Sequence, residues 1–83
     1  MRDQIDHKDL MILKQFHNNP ATSIREICDL ILIRAPSAVM YRLEKLEGLE
    51  LLDPPPAKGM HRSRKITEKG TLLLQSQRLI DAN

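Results

Sequence analysis

The densest chemistry in this 83-residue chain is cationic. Lys58, His61, Arg62, Arg64 and Lys65 fall within eight consecutive residues beside Gly59. Residues 1–57 hold 7 Lys and Arg against 9 Asp and Glu, net −2, whereas residues 58–83 hold 6 against 2, net +4. The formal charge of +2 therefore hides a local positive field. A concentrated basic stretch on a small domain points to a polyanionic partner, and nucleic acid is the commonest. The competing reading of such a run is a solvated charged surface.

Catalysis finds no support. Hydroxyl, thiol, imidazole and carboxylate groups occur singly, with no Gly-rich phosphate loop and no nucleophile motif, and a domain this small offers no deep pocket of ordinary size. His7, His17, Cys28 and His61 lack metal-ligand spacing. No enzyme activity, cofactor, metal or small-molecule substrate is expected. With 41% hydrophobic and 29% charged residues the composition is that of an ordinary globular domain, expected to span residues 1–83 as one unit. No apolar run approaches the ~18 residues of a spanning helix, and Asp3, Asp6 and Asp9 make the N-terminus unlike a signal peptide. A single cysteine suits a reducing compartment, so the expected location is the cytoplasm, without membrane contact.

The elements that must carry the cations follow from local chemistry. Asp6 can cap a first helix over residues 6 to 18, with Ile5 and Leu10 spaced as a hydrophobic staple and Asn18-Asn19-Pro20 as the stop. Ser23 and Glu26 form a capping box for a second helix whose apolar face is Ile24, Ile27, Leu30 and Ile31. Leu32 to Ala35 break the period, and Pro36 suits the first position of a third helix. On that helix Val39, Leu43 and Leu46 share one face, which turns Arg34, Ser37, Ala38, Tyr41, Glu44 and Lys45 the other way.

Residues 49 to 53 are too short for another helix, and Pro54-Pro55-Pro56 forbids both helix and ladder pairing, so the region reads as strand, loop, strand. The second strand, residues 61 to 67, sets Arg62 and Arg64 on one side of the pleat and Ser63, Lys65 and Thr67 on the other. Thr67 can cap a last helix, residues 67 to 80, containing Leu72, Leu73, Leu74, Leu79 and Ile80. This is more apolar surface than one side of a tiny domain readily buries, so these residues either complete the core or pair with a second copy. The expected class is mainly α with a small β-hairpin, in the order α-α-α-β-β-α. That order is a winged helix-turn-helix, with the helix-turn-helix over residues 23 to 47 and the wing over 49 to 67.

The run from Glu26 through Asp29, Leu32, Ala35 and Pro36 to Val39 resembles the helix-turn-helix of winged-helix repressors, most closely the LexA-type DNA-binding domains. The likeness continues through Leu43, Leu46, Leu51, Leu52 and Asp53, and Ile66-Thr67-Glu68-Lys69-Gly70 resembles the strand-to-helix junction of MarR-type and PadR-type regulators. Two corners depart from that pattern. Leu32 stands where the family usually has Gly in the turn, and Glu50 where it usually has Gly after the third helix, which puts the construction of both corners in question. Ala35 replaces the usual Ser or Thr cap, a loss of ~1 kcal/mol.

The resemblance implies that the third helix enters the major groove. Ser37 and Ala38 would then lie near bases, Ala38 against a thymine methyl, and Tyr41 would stack on sugar or donate to a phosphate. Arg34 and Lys45 would clamp phosphates rather than read bases. Glu44 would repel the backbone unless it accepts from a cytosine amine. In the wing, Lys58, His61, Arg62 and Arg64 would lie along phosphates or enter the minor groove, with Arg62 and Arg64 facing the duplex in preference to Ser63 and Lys65. Cys28 would be a buried, inert thiol. The expected function is sequence-specific binding of double-stranded DNA by a small bacterial or phage transcriptional repressor, with a homodimer formed through the C-terminal helix. The alternative is a winged protein-protein module in a larger assembly.

Overall fold

The computed structural model describes residues 5–54 and 64–81. Among these, four helices follow one another: α1 His7–Asn18, α2 Ile24–Ile31, α3 Pro36–Gly48 and α4 Glu68–Ser76. Local capping explains where three of them begin. The Asp6 side chain accepts from the Asp9 N–H and the Asp9 side chain accepts from the Asp6 N–H, a reciprocal box at the head of α1. Ser23 and Glu26 make the same box on α2, and Thr67 Oγ1 accepts from the Gly70 N–H on α4. Each such cap is worth about 1 kcal/mol. α3 starts at Ala35 with no side-chain cap and with Pro36 in its first turn.

The core is one cluster drawn from every helix. Ile12, Leu13 and Phe16 of α1, Ile27 and Ile31 of α2, Val39, Leu43 and Leu46 of α3, and Leu74 of α4 are buried, together with Leu51 and Leu52 of the segment after α3. α1 touches both α2 and α4, and α2 touches α3. Ile5 and Leu10 are half-buried against this cluster, where a staple places them. Gly70 lets α4 start against the preceding chain, because a Cβ there would collide with the Leu51 carbonyl oxygen and with Ile66.

α2, α3 and α4 end alike. Leu32, Glu50 and Arg78 all take left-handed φ values, 60°, 64° and 60°. After each, the next N–H reaches back into the last turn: Ile33 to Cys28, Leu51 to Leu46 and Leu79 to Leu74. This is a Schellman-type ending, which normally recruits Gly. The corners at Leu32 and Glu50 thus keep the backbone that a glycine would adopt, at a cost of roughly 1–2 kcal/mol for each non-glycine residue there. The third ending shortens the last helix: α4 stops at Ser76 rather than near residue 80, and Leu79 and Ile80 fold back beyond the reversal at Arg78.

Among the described residues the expected β-hairpin is not formed, and the winged α+β architecture is corrected to an all-helical one. The described residues contain a single antiparallel bridge, Leu52 to Ile66, and no sheet. Around it the Asp53 N–H donates to the Lys65 carbonyl at 2.8 Å and the Thr67 N–H to the Leu51 carbonyl at 3.1 Å. The next pair in register would be residues 54 and 64. It is a non-hydrogen-bonded pair whose N–H groups point out of the ladder, and the Arg64 N–H goes to the Pro20 carbonyl at 3.1 Å; the next bonded pair would be 55 and 63, where Pro55 has no N–H to donate. On the other side Glu68 has already entered α4. The tip of the expected wing, with Lys58, His61 and Arg62, lies outside the described residues.

Candidate nucleic-acid interface

The α2–α3 corner is built from the inside outward. Ile27 and Ile31 anchor α2, Val39 and Leu43 anchor α3, and residues 32–35 cross between them. From α1, Lys8 Nζ donates to the Ile31 carbonyl at 2.8 Å and so caps the end of α2 beside the turn. What the core leaves outside is a polar surface along the turn and the N-terminal half of α3. Arg34, Ser37 and Tyr41 are exposed, Tyr41 at 61%, and Ala38 is half-buried between them. Glu44 continues the same surface one turn on and is exposed. Arg25 at the head of α2 and Arg34 in the turn line one recess together with Cys28, Asp29 and Leu32. Arg25 is thus a second guanidinium at this corner. Its only sequence signal was a place in the first turn of α2, opposite that helix's apolar face.

The two other expected cations among the described residues, Lys45 and Arg64, go elsewhere. Lys45 does not point outward: its Nζ lies 2.5 Å from Asp9 Oδ2, and its side chain is only 13% exposed. Beside it Arg42 Nη1 lies 2.7 Å from Asp6 Oδ1 and 2.9 Å from Asp9 Oδ1. The Asp9 carboxylate, fully buried, therefore receives two α3 cations as well as the Asp6 N–H. A buried carboxylate is tolerated only with such a complement of charge and hydrogen bonds, and this one clamps α1 to the inner flank of α3. Partial burial pushes Asp6 up, but the hydrogen bond from Arg42 and those from Asp9 outweigh it and hold the carboxyl at about 2, below its ordinary 3.8. The hydrogen bond to Asp6 in turn raises Arg42.

Arg64 is likewise internal. Its side chain is 8% exposed and its Nε donates to Glu47 Oε2 at 2.8 Å, tying the chain that enters α4 to the end of α3. Its neighbour Lys65 is exposed, the reverse of the expected facing. The pleat itself is kept: Arg64 shares its side of the extended chain with Ile66, which packs against the core, and there it meets Glu47, while Lys65 points the other way. Cys28 is half-buried rather than buried and edges the recess at the turn. Arg34, Ser37, Ala38 and Tyr41 thus come together, Lys45 and Arg64 are diverted into ion pairs, and Lys58, His61 and Arg62 fall outside the described residues. Asp9 and Glu47, the acids that capture those cations, carried no sequence signal beyond their charge.

Among the described residues no group of three or more His, Cys, Asp or Glu side chains is placed to hold a metal ion, and no helix is long and apolar enough to cross a membrane. No protein-family model, curated protein or solved structure matches the chain, so its functional reading rests on the residues themselves.

Proposed function

We propose that the chain binds double-stranded DNA through the exposed N-terminal half of α3 and the turn before it, and acts by occupancy as a small transcriptional repressor in the cytoplasm. The observation that carries this reading is the uncovered surface of Arg34, Ser37, Ala38 and Tyr41 on a helix firmly backed by α2. An α-helix fits the major groove, short side chains at its front let the backbone come close to base edges, and a guanidinium beside it can hold a phosphate. Arg34 and Arg25 supply that positive charge at the corner. α3 also begins without a side-chain cap: Pro36 has no N–H and the Ala38 N–H donates to the Ala35 carbonyl, so the Ser37 N–H and the positive end of the dipole are what an incoming anion meets. Two copies paired through α4, where Leu72 is 56% exposed, would read two half-sites spaced by about one helical turn.

A second reading is favoured by a different observation. Ile5, Leu49, Leu51, Leu72 and Leu73 line one apolar recess at the far end of α3, the surface that a protein-protein module would cover. Selection of bound duplexes from random sequence separates the two. The DNA reading predicts an enriched motif that changes when Ser37, Ala38 or Tyr41 is substituted, and a palindromic motif would report the pair. A folded sample that retains no duplex even at low salt leaves the protein-contact reading standing.

A further inference from the structure

In a groove that no residue of α3 lines, we infer a binding site for a small amphipathic carboxylate, such as a medium-chain fatty acid. The groove has a volume of about 370 Å³, and its lining comes from α1, α2 and the segment after α4, with no residue of α3. Its floor is apolar: Leu10 and Met11 of α1, Leu30 of α2 and Leu79. Leu30 is 38% exposed, and the other three are half-buried against the core. On α1 the positions 7, 10, 11 and 14 share one helical stripe, so His7 stands at one end of the apolar floor and Lys14 at the other. The two ends are about 10 Å apart along the axis at 1.5 Å per residue.

The electrostatics select the occupant. None of the residues lining the groove is acidic. The Lys14 side chain is exposed and makes no ion pair or hydrogen bond among the described residues. Gln15 and Asn18 add amide groups at the same end, and Gln15 is steadied by donating to Thr22 Oγ1 at 3.1 Å. Asp81, in the neighbouring recess that shares Lys14, forms no ion pair with it. An apolar tail over Leu10, Met11, Leu30 and Leu79 with its carboxylate on Lys14 satisfies both halves of this lining.

The test is a methyl and amide NMR titration of the full chain with sodium octanoate, run beside neutral 1-octanol and cationic octylamine. Saturable shifts at Leu10, Met11, Leu30 and Leu79 are expected for octanoate, with a Kd on the order of 1 mM for so few atoms. Octanol should bind several-fold more weakly, and octylamine more weakly still. Lys14→Ala, an exposed position that leaves the core untouched, should weaken octanoate about fivefold and leave octanol unchanged. Leu30→Glu, which puts an acid at the floor, should abolish octanoate binding while the thermal unfolding curve stays cooperative. Shifts that do not saturate, shifts centred on the Leu72 recess, or an octanoate affinity indifferent to Lys14→Ala would overturn the assignment.

Discussion

α3 and the turn before it carry similar cations with opposite fates. In the turn Arg34 stands in solvent, and along the inner edge of α3 Arg42 and Lys45 are drawn down onto Asp6 and Asp9 of α1. The same division recurs one element later, where Arg64 is locked to Glu47 and Lys65 is exposed. The difference lies in what faces the helix. α1 sets a buried carboxylate opposite the inner edge, and no acid is paired with Arg34 among the described residues. A long flexible stem lets a side chain that leaves the backbone at the rim of an exposed face place its charge underneath. Cations of one kind therefore serve two ends, cohesion on the inner flank and reach on the outer.

That contrast can be broken at its strongest point first. Asp9→Ala removes the acceptor shared by Arg42 and Lys45 and should cost about 3 kcal/mol in urea unfolding, the scale for breaking a buried charge pair. An unchanged midpoint would mean that the inner flank holds nothing together. Arg64→Ala should cost about 1–2 kcal/mol by orphaning Glu47 and loosening the entry to α4. Leu32→Gly should raise stability by about 0.5–1 kcal/mol, because it relieves a left-handed leucine that is 86% exposed and has little packing to lose. Smallest is the acid effect of Asp6. Its folded-state pKa lies below the unfolded value, so its contribution is complete above about 3.8 and is lost as pH falls through about 2. With a side chain 54% exposed, that contribution is well under 1 kcal/mol after solvent screening, and a shallower acid limb in Asp6→Asn is the check.

Features written in neighbouring residues were legible in the sequence. The caps at Asp6, Ser23 and Thr67, the start of α3 at Pro36 and the burial of Val39, Leu43 and Leu46 follow from spacing within one or two turns, and they also fix the outward face of Ser37 and Tyr41. Features that depend on distant partners were not. The alternation over residues 61 to 67 fits a strand, but a ladder also needs a partner that can donate, and the proline run after Asp53 cannot. The apolar spacing of Leu79 and Ile80 continues a helix that the reversal at Arg78 ends. Lys45 and Arg64 have the composition of phosphate clamps, and only the fold brings Asp9 and Glu47 against them.

The salt dependence of duplex binding tests the division of cations most directly. Each phosphate contact contributes close to one unit to the slope of log K against log salt. Arg34→Gln should lower that slope by about 1 with stability unchanged, and Arg64→Gln, measured where it remains folded, should leave the slope as it is. A slope that falls with Arg64→Gln and not with Arg34→Gln would reverse the two flanks and contradict the account.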